Sequence, residues 1–101
     1  MNNINMKITE AQNEVILAAA DSDLIDKEFR EGKFHIRVLS GFYGNARVSD
    51  NTFIASLGLC TIANLVGKHV VRLATDSDFI DSENVIYIDG IPYAQLAKII
   101  E

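Results

Sequence analysis

From Lys33 to Leu39 apolar and polar side chains alternate as far as Val38. Phe34, Ile36 and Val38 fall on one side, and Lys33, His35 and Arg37 on the other. A strand sends successive side chains to opposite faces, and a half-buried antiparallel strand needs this period of two. The segment is therefore expected to turn its apolar side to a core and its cations to water. Those cations would stand about 6.6 Å apart along one face.

The flanking sequence extends the pattern. Ile4 to Glu10 and Glu14 to Ala20 read as two short strands around a polar turn at Ala11-Gln12-Asn13. Asp21 to Lys27 reads as a polar connection in which Leu24 and Ile25 tuck one helical turn against the core, and Ser40 to Arg47 as a loop. Ser49 suits a helix N-cap, and Asp50 adds a negative charge where the helix dipole favours it. Phe53, Ile54, Leu57, Thr61 and Leu65 recur at helical spacing, so a helix is expected to run to about Val66 and stop at Gly67 in a left-handed conformation. Lys68 to Thr75 predicts a second short helix burying Val70, Val71 and Ala74. Val85 to Ile88 is β-rich, Asp89-Gly90 is a hairpin turn signal, and Ile91 begins a returning strand. The tail from Ala94 to Ile100 fits either strand or helix. The order β-β-β-α-α-β-β predicts an α+β fold: one small domain spanning residues 1–101, with an antiparallel or mixed sheet and a helical pair packed on one face.

A chain of 101 residues has room for one core. Its 49% hydrophobic and 23% charged content is that of a globular domain rather than a disordered one. The longest uninterrupted apolar run, Val15 to Ala20, falls far short of the roughly 20 residues a membrane span requires. The first residues carry neither a basic start nor an apolar stretch before a cleavage site, so no export signal is read there. Cys60, the only cysteine, has no internal disulfide partner and suits a reducing interior. A cytoplasmic protein without membrane partners is expected. A net charge of −5 argues against simple coating of nucleic acid. Yet Lys27, Arg30, Lys33, Arg37 and Arg47 face only Glu28 and Glu31 within the segment from Lys27 to Arg47. At physiological salt the screening length is about 8 Å, so this local patch can act despite the acidic remainder.

Sequence support for catalysis is thin. His35 and His69 are the only imidazoles, and neither sits in a local Ser or Cys nucleophile motif. A Walker loop, a dinucleotide fingerprint and Cys/His zinc spacing are all lacking. Asp21-Ser22-Asp23-Leu24-Ile25-Asp26-Lys27-Glu28 is echoed by Asp76-Ser77-Asp78-Phe79-Ile80-Asp81-Ser82-Glu83. Its alternating acids resemble the start of a calcium loop, but the glycine and glutamate that close such a loop are missing. Acidic and hydroxyl side chains that satisfy free backbone groups in connections account for the same pattern. No cofactor, metal ligand or catalytic residue is assigned.

The binding candidates are Arg30, Lys33, His35 and Arg37, with Phe42 and Tyr43 just beyond. Cations beside exposed rings suit a single-stranded nucleic acid, whose phosphates pair with the cations while bases stack on the rings. The same strand face is also what any antiparallel strand shows to water. A second set, Asn64, Gly67, Tyr93 and Gln95, lies in two glycine-punctuated islands, Asn64-Leu65-Val66-Gly67 and Asp89-Gly90-Ile91-Pro92-Tyr93-Ala94-Gln95. Two readings follow. One is a non-catalytic protein contacting RNA or an RNA–protein assembly such as the translation machinery. The other is a protein–protein adaptor or homodimer that uses Asn64, Gly67, Tyr93 and Gln95. A metal-dependent enzyme built on the paired acidic segments ranks third.

Four islands carry a resemblance: Phe29-Arg30-Glu31-Gly32-Lys33, Phe42-Tyr43-Gly44, Thr61-Ile62-Ala63-Asn64-Leu65-Val66-Gly67 and Ile91-Pro92-Tyr93-Ala94-Gln95. Their order and spacing resemble a small archaeal family known as domain of unknown function 424, over nearly the whole chain. The resemblance implies an archaeal, cytoplasmic, single-domain protein with no established activity. In that family's pattern His usually stands where this chain has Tyr93, and Cys-Asp where it has Ala20-Asp21. A Tyr at that position can stack or hydrogen-bond, but it does not accept a proton near neutral pH as imidazole does.

Overall fold

The computed structural model describes residues 2–99. Strands β1 (Ile4–Ala11) and β2 (Glu14–Asp21) pair antiparallel around Gln12 and Asn13. Both turn residues have positive φ (51° and 68°), which matches the right-handed twist of the strands they join. A 3-10 turn at Ser22–Leu24 follows, burying Leu24. A small separate hairpin then forms from β3 (Glu28–Glu31) and β4 (Phe34–Arg37). After one short helix, α1 (Ser40–Tyr43), and the two-residue β5 (Arg47–Val48), the chain enters α2 (Asp50–Leu59), β6 (Ile62–Val66) and α3 (Lys68–Asp76). It closes with β7 (Ile86–Ile88) and β8 (Ile91–Ala97), joined at Asp89 and Gly90, again with both φ positive.

The main sheet has six strands in the order β5-β1-β2-β6-β8-β7. β2 and β6 run parallel and every other pairing is antiparallel, so the sheet is mixed. α2 and α3 pack on one face. There Phe53 and Leu57 of α2, with Val70, Val71 and Ala74 of α3, meet Leu17, Ala19, Ala63, Leu65 and Ala94 from the strands. Each large side chain fully removed from water here contributes roughly 1.5–3 kcal/mol. The expected α+β fold with a helical pair on one face is the fold observed.

Four local expectations are corrected. Helix α2 does not reach Val66: it ends at Leu59, and Ile62–Val66 is a central strand. The reason is non-local. Thr61 N–H donates to the Val15 carbonyl at 2.8 Å, its hydroxyl accepts from Val15 N–H at 2.9 Å, and its carbonyl accepts from Lys98 N–H at 2.8 Å. Those bonds fasten the segment between β2 and β8, and helical spacing in a sequence cannot register them. Gly67, expected to end a helix, instead precedes one, as the N-cap of α3 with φ 116°. The expected third strand lies outside the main sheet, paired with β3, a strand the sequence pattern did not suggest. The expected loop at Ser40 begins with the short helix α1. The ambiguous tail is strand through Ala97, while Ile100 lies outside the described residues.

The β3–β4 hairpin and α1 cover part of the sheet's second face. Ile36, Val38, Tyr43 and Leu24 pack there against Ala18, Ala20, Val66 and Ile88. The rest of that face, at Ile16, Ile62, Gln95 and Ala97, remains half-buried or exposed.

Candidate functional site

The period-two expectation for residues 33–39 is realised in its orientation. Ile36 and Val38 are buried, and Lys33, His35 and Arg37 are exposed. Phe34 departs from it. It is 55% exposed and is not among the hairpin residues that pack on the second-face core. The two rings that follow behave differently from each other. Phe42 is 48% exposed, whereas Tyr43 is 4% exposed and belongs to the core of the second face. They meet edge to face, with centroids 4.9 Å apart and planes at 81°. Tyr43 is thus a buried support for Phe42 rather than the exposed ring that the sequence suggested. Burial pushes its hydroxyl up to about 12, and the neighbouring Tyr93 adds to the effect.

Between the hairpin and the β7–β8 edge lies a groove of about 350 Å3. Of the residues nominated from sequence, His35, Arg37, Phe42, Tyr43 and Tyr93 line it. Phe34 and Ile86 also reach it. Sequence reasoning missed both: Phe34 reads as a core residue by alternation, and nothing local indicates that Ile86 will face the hairpin.

The cations on the hairpin have a neighbour that the sequence did not reveal as theirs. Glu28, opposite Arg37 in the β3–β4 register, approaches Arg30 at 3.6 Å, His35 at 3.2 Å and Arg37 at 3.4 Å. These groups are solvent-exposed, so each pair is worth about 0–1 kcal/mol. One carboxylate cannot neutralise Arg30 and Arg37 together, and Lys33 adds a further charge at the hairpin turn. Glu31 is engaged elsewhere, accepting the Asp89 N–H at 2.8 Å. The patch keeps a positive surplus, smaller than an unobstructed face would carry.

The second nominated set divides. Asn64 and Gln95 stand directly opposite each other on β6 and β8. Asn64 Oδ1 accepts from Gln95 Nε2 at 2.8 Å and from the Tyr93 hydroxyl at 3.3 Å, while Gln95 Nε2 also donates to the Tyr93 oxygen at 2.8 Å. Burial raises the Tyr93 pKa, opposed by the bond from Gln95. Asn64 is therefore held within the sheet by its neighbours on β8. Gly67 is elsewhere: a Cβ at this residue would lie 2.3 Å from Asp21 Cγ. Its absence lets the Asp21 carboxylate reach the start of α3, where it accepts the N–H groups of His69 (3.0 Å) and Val70 (2.9 Å). Burial raises the Asp21 pKa, partly offset by these two bonds. With Asn3, Ser22, Asp23, Arg47 and His69, Asp21 lines a cleft of about 500 Å3. His69 Nε2 also lies 2.8 Å from Asp50 Oδ1. The amino end of α3 is thus already occupied by a carboxylate of the chain itself. No cluster of three or more metal-ligating side chains forms among the described residues.

Residues 9–99 match the model of a family described as "Protein of unknown function (DUF424)". The chain belongs to the DUF424 family. A solved structure, described as an uncharacterized conserved protein from Methanopyrus kandleri, superposes with a TM-score of 0.77 at 15% identity. The alignment covers 97% of this chain and 95% of that one. At that identity the likeness establishes a shared α+β fold. No curated protein matches the sequence. No helix among the described residues is long and apolar enough to cross a membrane. The groove and the Asn64–Tyr93–Gln95 cluster are therefore read from their own chemistry, with Tyr93 belonging to both.

Proposed function

We propose that this DUF424 protein is a non-catalytic, cytoplasmic binding protein that takes single-stranded RNA, free or within an RNA–protein assembly, at the groove between the β3–β4 hairpin and the β7–β8 edge. One observation supports the reading: His35, Arg37, Phe42 and Tyr43, joined by the sequence-distant Tyr93, line a single groove in which the exposed Phe42 and Arg37 occur together. An unpaired base has a π-face to lay on Phe42, and its phosphates have Arg37, Arg30 and Lys33 within the same hairpin. Glu28 tempers this attraction without abolishing it, since its exposed ion pairs are cheap to exchange for phosphate contacts. The net charge of −5 limits non-specific adhesion elsewhere.

Fluorescence anisotropy with labelled RNA across a salt series tests the proposal. Three phosphate contacts predict a log–log slope of about −2. Flat salt dependence, or absence of binding at low salt, rejects it. The competing reading is a protein contact, and the exposed apolar side chains Phe34, Phe42 and Ile86 in the same groove favour it. Sedimentation equilibrium of the isolated chain tests its homodimeric form, which Phe34→Asp would dissolve.

A further inference from the structure

Asparagine is poorly suited to strand interiors, yet Asn64 occupies the middle of β6, between Ile62 and Val66 and inside a six-stranded sheet. Ala18 is its partner on β2, and that small side chain leaves the amide uncrowded on the second face. Within the cluster the Asn64 oxygen accepts two hydrogen bonds, and the Gln95 nitrogen donates two. Both amides are thereby oriented from within. The Asn64 Nδ2 donors and the Gln95 Oε1 acceptor have no side-chain or backbone partner among the described residues. The pair thus offers a free donor from one strand and a free acceptor from its neighbour, and a nucleobase edge likewise presents both. Tyr93 joins this pair to the groove, since its ring lines the groove while its hydroxyl holds Gln95.

We propose that the Asn64–Tyr93–Gln95 cluster is a base-reading site, hydrogen-bonding the edge of one unpaired nucleobase next to the one that stacks on Phe42. This rests on the RNA reading above and adds selectivity to it: the hairpin cations and Phe42 supply affinity for any strand, and the amide pair distinguishes among bases. Asn64 and Gln95 are the contacting groups, and the Tyr93 hydroxyl positions Gln95.

The test uses labelled oligomers of about ten adenosines, cytidines or uridines, a length within the usual single-strand site size. Anisotropy is read at salt from about 50 to about 200 mM. The expected result is a spread of about tenfold or more in Kd across the three, the lower range of what one bidentate contact discriminates. In Asn64→Ala/Gln95→Ala the spread should collapse below about twofold. Tyr93→Phe, which removes only the hydroxyl, should reduce the spread part-way, and it keeps the test alive if the double variant melts early. Equal affinities in the wild type, or a spread that survives in the variants, overturns base reading while leaving salt-dependent groove binding intact. Failure of all three oligomers to bind at low salt overturns base reading and the RNA proposal together.

Discussion

The two faces of the six-stranded sheet are built to different ends. On the helical face, two helices lay Phe53, Leu57, Val70, Val71 and Ala74 over the strands, and the contact is apolar and closed. On the second face, a two-stranded hairpin and a single helical turn cover only one end. They leave a groove with an exposed phenylalanine and, beside it, three polar side chains bonded to one another. The small residues of β2 illustrate the contrast. Ala19 faces the helices and lies beneath packed side chains, whereas Ala18 faces the second side and leaves Asn64 room. The helical face is closed by its two helices, while the second face buries a core of its own at one end and leaves the rest open.

This comparison can be broken by mutation. The largest effect is expected from Phe53→Ala on the helical face: about 3–5 kcal/mol of stability lost in urea unfolding. Phe42→Ala on the second face should cost no more than about 1 kcal/mol while weakening RNA binding. Equal losses would mean that the two faces are not distinct in role. Gly67→Ala comes next, at about 1–3 kcal/mol, because φ is 116° and the new methyl would strike the Asp21 carboxylate. Its thermal melt should fall with no change in RNA affinity at temperatures where it is folded. Lys33→Glu/Arg37→Glu should leave the melt within about 1 kcal/mol and reduce RNA affinity about tenfold or more, with a shallower salt slope. Glu28→Gln should do the opposite, tightening RNA binding up to about fivefold by releasing its cations, the equivalent of about 1 kcal/mol.

The smallest effect concerns pH and the start of α3. The Asp21 carboxyl is more easily protonated folded than unfolded, because burial raises its pKa above the ordinary 3.8. Its contribution to stability is therefore fully present below 3.8 and is lost as pH rises through the folded value. Relative to Asp21→Asn, the wild type should gain stability as pH falls from neutral through the folded value toward 3.8, and urea midpoints across the range would show it. A wild type that loses ground on acidification would show that the two N–H bonds outweigh burial.

Much of the architecture was legible from local chemistry. Two strand-like runs around a polar turn placed β1 and β2, alternation placed the hairpin strand, Asp89-Gly90 marked the last turn, and Ser49 marked the start of α2, where its hydroxyl does accept the Thr52 N–H. The misreading of Ile62–Val66 as helix has a physical cause. Leu57, Thr61 and Leu65 satisfy a helical repeat, while Ala63 and Leu65 satisfy a strand repeat, and pairing with β2 and β8, fastened at Thr61 to Val15 and Lys98, decides between them. The binding candidates followed the same rule. Residue type nominated Arg37, Phe42, Asn64, Tyr93 and Gln95, but proximity was needed to divide them into a groove and an amide cluster, and to show that Gly67 serves the packing of Asp21.

By itself, the order of residues determined the α+β class, most strand positions and the outward direction of the hairpin cations. Each of these is set by forces acting within a few positions along the chain. Only the tertiary structure decided that Glu28 would answer those cations, that Tyr43 would be buried beneath Phe42, and that Asn64 would meet Gln95 across two strands. Those outcomes depend on which segments are brought side by side, and the pairing of distant segments is settled by the whole core at once.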